Sequence, residues 1–328
     1  MKRSLLLAIV GALMLSAAPV LADEGFYVIG AGGKPLGTPI TSLPCTINES
    51  GMYYLSRNLL ILLQTGSAIT INANNVTLDL MGFTLNGLSR FTGSAHGIWI
   101  NAGKSGVEVR NGCITNFAGD GVHCLGDTCR IIGLRVTNVG AAGISENGQN
   151  QVISCFASGC GHEGIWSGGQ SMLKGNTVNG NAMNGITAGD NCTVVGNSAY
   201  NNTTKGISVG QGALVQGNQV SVNGTDGIAT AKVATVIGNT AQGNYGRGIS
   251  TDSYCSVIAN SAGYNVDKGI RTDFYCTIVQ NSTSSVGTMG MEFGDFCLIS
   301  NNSSWGSVNN GQFNYIIHNG GVEDRIPQ

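Results

Sequence analysis

Between positions 96 and 166 the chain gathers three of its four histidines and two of its three tryptophans, His96, Trp99, His123, His162 and Trp166, together with the carboxylates Asp120 and Glu163. Indole rings stack on sugar faces. Carboxylates hydrogen-bond sugar hydroxyls or act as the acid and base at a glycosidic bond. The combination points to a glycan surface, with Trp99, Trp166, His96 and His162 as binding residues. Asp120, His123 and Glu163 are the catalytic set if a bond is broken. Histidines also ligate metals, but His162 with Glu163, and His96 with His123, each lack a clear third partner in the sequence, so no metal is expected.

What holds these residues in line is a repeat. A Gly-Ile pair returns every 21 residues at Gly143, Gly164, Gly185, Gly206, Gly227, Gly248 and Gly269, and Gly290-Met291 closes the series. A period of this size marks one supersecondary unit that buries its apolar face only by stacking on its neighbours. Within a repeat, as in Ile207-Ser208-Val209, Leu214-Val215-Gln216 and Gln219-Val220-Ser221, three short alternating stretches are separated by Gly and Asn. They are too short and too β-branched for a helix, so each coil reads as three strands and three turns.

Columns 21 residues apart set the register. Val152, Leu173, Val194, Val215, Val236, Val257, Ile278 and Ile299 are uniformly aliphatic and face inward, whereas Lys174, Gln216 and Ser300 beside them face out. Asn176, Asn197, Asn218, Asn239, Asn260 and Asn281 form one asparagine ladder, and Asn181, Asn202, Asn223 and Asn244 belong to a second. Stacked at strand spacing, each amide can bond the next coil's side chain and turn backbone. Trp99, His123, Ser145 and Trp166 fall in one outward column. His96, Asp120, Ala142 and Glu163 fall in the column just before the glycines.

With its Gly-Ile strand starts, its Gly-Asn turns, and the stretches Met52 to Leu59 and Ala68 to Leu80, the chain resembles the right-handed parallel β-helix proteins of the pectin-lyase-like superfamily over about residues 45 to 317. The resemblance implies an all-β right-handed parallel β-helix of about 11 coils, with glycans bound along the groove of the Gly-Ile strands. Catalytic relatives of the polygalacturonase kind carry an Asp-Asp pair and an Arg-x-Lys motif, and this chain has neither; Gly161-His162-Glu163-Gly164 matches their Gly-His-Gly only superficially. A lyase would need Ca2+ held by clustered acids beside a basic residue. Asp252 and Asp273, near Arg247, Lys268 and Arg271, read instead as an ion-pair patch. No other cofactor is implied.

Met1-Lys2-Arg3-Ser4 followed by an apolar run to Ala17 and by Val20-Leu21-Ala22 reads as a secretory signal over residues 1–22, so the mature chain is expected to be secreted or periplasmic. Residues 23–44 read as a leader, 45–67 as an N-terminal cap, 68–317 as the β-helix and 318–328 as a polar tail. Glycine is 51 of 328 residues and proline only 5, as tight turns in a continuous sheet require. Only 10% of residues are charged, and the formal net charge is −2. Nothing in that balance suggests a nucleic-acid or anionic-membrane partner, either of which would call for a basic patch, and no later apolar run is long enough to span a bilayer.

Ten cysteines in an exported chain suggest disulfides. The register argues otherwise for most of them, because Cys129, Cys192, Cys255, Cys276 and Cys297 share an inward column with Asn150, Ser171, Ala213 and Ala234, where any small side chain fits. Cys124 and Cys129, inward around one turn, are the candidates for a bridge. The leading expectation is an exported, noncatalytic protein that binds a polysaccharide or cell-surface glycan. The alternatives are a polysaccharide lyase or hydrolase acting in the groove, and a structural or adhesive module that associates with itself through the solenoid ends.

Overall fold

The computed structural model describes residues 37–285, 289–304, 308–309 and 313–317. The proposed signal peptide, most of the leader, Trp305 and the tail lie outside them. The described residues form strands and turns only, wound as a parallel solenoid. One sheet holds thirteen parallel strands, from Cys45–Ile47 to Val308–Asn309, and carries the Gly-Ile positions. The other two strands of each coil belong to a 24-stranded sheet, made continuous where Glu108–Thr115 and Arg130–Thr137 run unbroken through a corner.

The winding starts earlier than the cap expected from sequence. Thr38–Ile40, within the supposed leader, pairs in parallel with Gly51–Leu55, and Cys45–Ile47 pairs with Ser67–Ile71. These segments are short and irregular, and their coils do not keep the 21-residue period by which the regular coils were counted.

In the regular coils the ladder joins each residue to the one 21 positions on, as Ile186 to Ile207, Val194 to Val215 and Ala199 to Val220. The aliphatic column from Val152 to Ile299 is fully buried. Each such side chain contributes about 1.5–3 kcal/mol by leaving water. The asparagines lie inside the turns: the Oδ1 of Asn218 accepts from the backbone N–H of Asn197 at 2.8 Å and from its Nδ2 at 3.0 Å, while the Nδ2 of Asn197 also donates to the Leu173 carbonyl at 2.9 Å. The same pattern links Asn181, Asn202 and Asn223. Glycine is required before each isoleucine by close approach. A Cβ on Gly185 would stand 2.6 Å from the Gly206 carbonyl and 2.6 Å from the Asn202 amide.

All ten cysteines are free. The bridge expected between Cys124 and Cys129 is not formed; both are free thiols in hydrogen-bond contact with each other, with Cys124 also at 3.7 Å from the Gly126 carbonyl and Cys129 at 3.5 Å from the Asp127 carbonyl.

Candidate functional site

The thirteen-stranded sheet places Thr70, Trp99, His123, Ser145 and Trp166 opposite one another on successive coils. The strand start adds a second rule. The residue before each Gly-Ile position and the residue after it are three apart, and their side chains meet across the strand start, also where Ala68-Ile69 or Gly121-Val122 stands in place of the pair. Ser67 meets Thr70 at 2.8 Å, Asp120 meets His123 at 2.6 Å, Asn184 meets Thr187 at 2.9 Å and Arg247 meets Ser250 at 3.2 Å. The fold thus folds two sequence columns into one row of contacts.

At the N-terminal end this row becomes a cluster. His96 Nδ1 lies 3.5 Å from Asp120 Oδ2 and accepts the Asp120 backbone N–H at 3.0 Å, and the Oδ1 of Asp120 accepts the Ala142 N–H at 2.8 Å. Trp99 stacks on His123 with centroids 4.2 Å apart and planes 16° apart, and His96 meets the Trp99 edge at 4.9 Å. Gly119 makes room for the His96 ring, because a Cβ there would fall 2.8 Å from its Nδ1. Burial by itself would raise the Asp120 carboxyl, but the hydrogen bond from His123 and the electrostatic pull of the two adjacent imidazoles outweigh it and hold the group down to about 2. It is a carboxylate at any physiological pH.

Trp99 lines an open cleft of about 390 Å3 with Gly66, Ser67, Thr70, Ser94, His96 and Asn101. Its Nε1 donates to Asn101 Oδ1 at 2.9 Å, and Asn101 in turn bonds Asn72 at 3.2 Å. Sequence reading missed Ser67, Thr70, Ser94 and Asn101, which come from coils without the regular period. The serine and threonine were legible only through the three-residue rule.

The remaining residues singled out from sequence share the face but not the cluster. Glu163 is two coils beyond Asp120, about 10 Å by strand spacing, and His162 beside it is exposed. Trp166 is 39% exposed, three coils or about 14 Å from Trp99. Trp99 itself is half-buried, since a histidine covers one face. Asp120 is the third partner that the sequence did not offer His96 and His123: one ligand atom from each of the three lies within 4.8 Å of the others. Of the expected ion-pair patch the structure shows Asp273 bonded to Arg271 at 2.5 Å, whereas Arg247 takes Asp267, Lys268 takes Glu292, and Asp252 accepts the Ser253 N–H at 2.7 Å.

One buried carboxylate escaped the sequence reading altogether. Glu146, 1% exposed, points into the solenoid, where the Gly148 N–H at 2.6 Å, the Asn150 amide at 2.9 Å and the Ser167 hydroxyl bond it. The alternation places it inward, one residue after Ser145. It is a satisfied interior plug, apart from the groove.

Residues 126–262 match the family model described as a right handed beta helix region. The A-module of mannuronan C-5 epimerase AlgE6 from Azotobacter vinelandii superposes with a TM-score of 0.64 at 15% identity, covering 84% of this chain and 81% of that one. The AlgE4 A-module from the same organism gives 0.58 at 13%, covering 84% and 90%. The periplasmic alginate epimerase AlgG gives 0.51 at 12%, covering 77% of each chain. No curated protein sequence matches the chain. Parallel in-register coils, the matched region and these shared architectures together show the fold of the chain to be a right-handed parallel β-helix.

Proposed function

We propose that this is an exported polysaccharide-binding protein whose glycan lies along the groove of the N-terminal coils, with Trp99 as its principal platform and Trp166 as a second contact. The observation that carries the reading is the seating of Trp99: His123 stacks against it while the indole lines an open cleft whose other walls are hydroxyl, amide and imidazole groups. A rigid apolar face ringed by hydrogen-bonding groups is what sugar recognition requires. The neighbours named for mannuronan and alginate support a polyuronate as the first glycan to try.

A second reading has its own observation. Asp120 bonded to His123 Nδ1 at 2.6 Å orients an imidazole whose Nε2 can serve as a base, the arrangement needed to remove a proton beside a uronate carboxylate. The chain would then be a polysaccharide-active enzyme, with Asp120 holding the tautomer.

Binding to an array that includes polyuronates, followed by product analysis, separates the two. Trp99→Ala should weaken binding by about 1 kcal/mol, roughly fivefold, and Trp166→Ala by less. Phe296→Ala, on an exposed turn outside the groove, is the control. Unsaturated, epimerised or shortened products that vanish in His123→Gln would establish the enzymatic reading. Unchanged binding in Trp99→Ala would remove the site.

A further inference from the structure

The geometry points to a transition-metal site at His96, Asp120 and His123, selective for a borderline divalent ion such as Zn2+. The three residues come from the starts of two adjacent coils, and one donor atom from each lies within 4.8 Å of the others. Two imidazole nitrogens and one carboxylate oxygen suit zinc, cobalt or nickel and not the hard, oxygen-seeking Ca2+. The inference is independent of the glycan reading.

The spacing fits. Two ligands on one tetrahedral zinc stand about 3.4 Å apart when each bond is about 2.1 Å, and His96 Nδ1 is 3.5 Å from Asp120 Oδ2. His123 Nδ1 is at 2.6 Å, a hydrogen bond, and has to withdraw by about 0.8 Å to share an ion with the same oxygen.

The surroundings are those of a built site. Asp120 is anchored through Oδ1 by the Ala142 N–H at 2.8 Å, leaving Oδ2 for the ion. Trp99 fixes the His123 ring by stacking, and the missing Cβ of Gly119 seats His96. Such supporting contacts orient ligands and hold a site open to the wrong geometry by little. His96 also borders the cleft, which leaves a coordination position toward solvent or a bound molecule.

Two bonds oppose occupancy. The ion displaces the Asp120 N–H from His96 Nδ1 and the His123 contact from Asp120. Affinity is therefore expected in the micromolar range, well short of a closed four-ligand structural site.

Titration of the full untagged chain with Zn2+ in a calorimeter tests this, with Co2+ as a spectroscopic probe. The expected result is one ion per chain. Asp120→Asn and His96→Gln should each weaken binding by about tenfold or more, while His162→Ala leaves it unchanged. Circular dichroism confirms that the variants fold, and the two variants remove different ligands, so loss of one to misfolding leaves the other as the test. Bound Co2+ should show ligand-field bands without thiolate charge transfer. Absence of binding at 100-fold higher Zn2+ than about 1 µM, parent-like affinity in both variants, or a thiolate band from the free cysteines would overturn the assignment.

Discussion

The two halves of the groove are built on one register and do different things with it. In the C-terminal half, coils 21 residues long place like positions over like, and the charged groups find one another: Lys268 bonds Glu292 at 2.7 Å and Arg247 bonds Asp267 at 3.3 Å. In the N-terminal half, Thr70 and Trp99 are 29 residues apart, Trp99 and His123 24, and His123 and Ser145 22, and Ser94 and Asn101, flanking the strand His96–Ile100, line the cleft. A regular repeat consumes its polar groups in column-to-column pairs. An irregular one leaves walls, a cleft, and a carboxylate held between two imidazoles. The clustered side chains collect where the period is broken, because coils of unequal length do not bring the same columns into register.

The regular half should be the more fragile to charge. Val215 is fully buried in the aliphatic column, whereas Gln216 is exposed. Val215→Asp is expected to cost more than about 4 kcal/mol and to prevent folding, and Gln216→Asp to stay within about 0.5 kcal/mol. Soluble yield and denaturant melts read the difference. Equal loss in both would break the assignment of faces on which the comparison rests.

A smaller effect belongs to the ladder. Asn218→Ala removes the acceptor of the buried Asn197 N–H, at a cost of about 2–3 kcal/mol. A melting temperature unchanged from the parent would mean that water reaches the turns and that the coils are less alike than their columns indicate.

The irregular half predicts a dependence on pH. The folded Asp120 carboxyl titrates near 2, below its ordinary 3.8, so its stabilisation is complete above pH 4 and is lost as pH falls through 2. Asp120→Asn should cost about 2 kcal/mol at neutral pH, with the gap to the parent closing toward pH 2. A constant difference from pH 7 to pH 2 would assign the loss to packing and take the electrostatic cluster out of the comparison.

Much of this was legible in the residue order. The Gly-Ile period gave the coil, the aliphatic column gave the inside, and Trp99, His123 and Trp166 fell on one outward face by counting alone. The early coils resisted the same counting. Thr38–Ile40 and Cys45–Ile47 are wound into the sheets without the repeat that would announce them, so a leader and a cap were expected where strands lie. The pair Cys124 and Cys129 was likewise placed correctly side by side, yet proximity does not choose a bridge when each thiol has a carbonyl to meet.

Sequence by itself determined the alternation, because strand geometry has a period of two and stacked coils must repeat their apolar positions in register to close a core. Distances across a bend and between coils of unequal length follow no such period. Only the tertiary structure decided that Asp120 touches His123 and His96 while Glu163, in the same column, stands two coils away. It also decided that Trp99 is half-covered and Trp166 is open. Which outward residues become partners depends on where the turns let the chain bend, and that is set by the packing of each coil on the next.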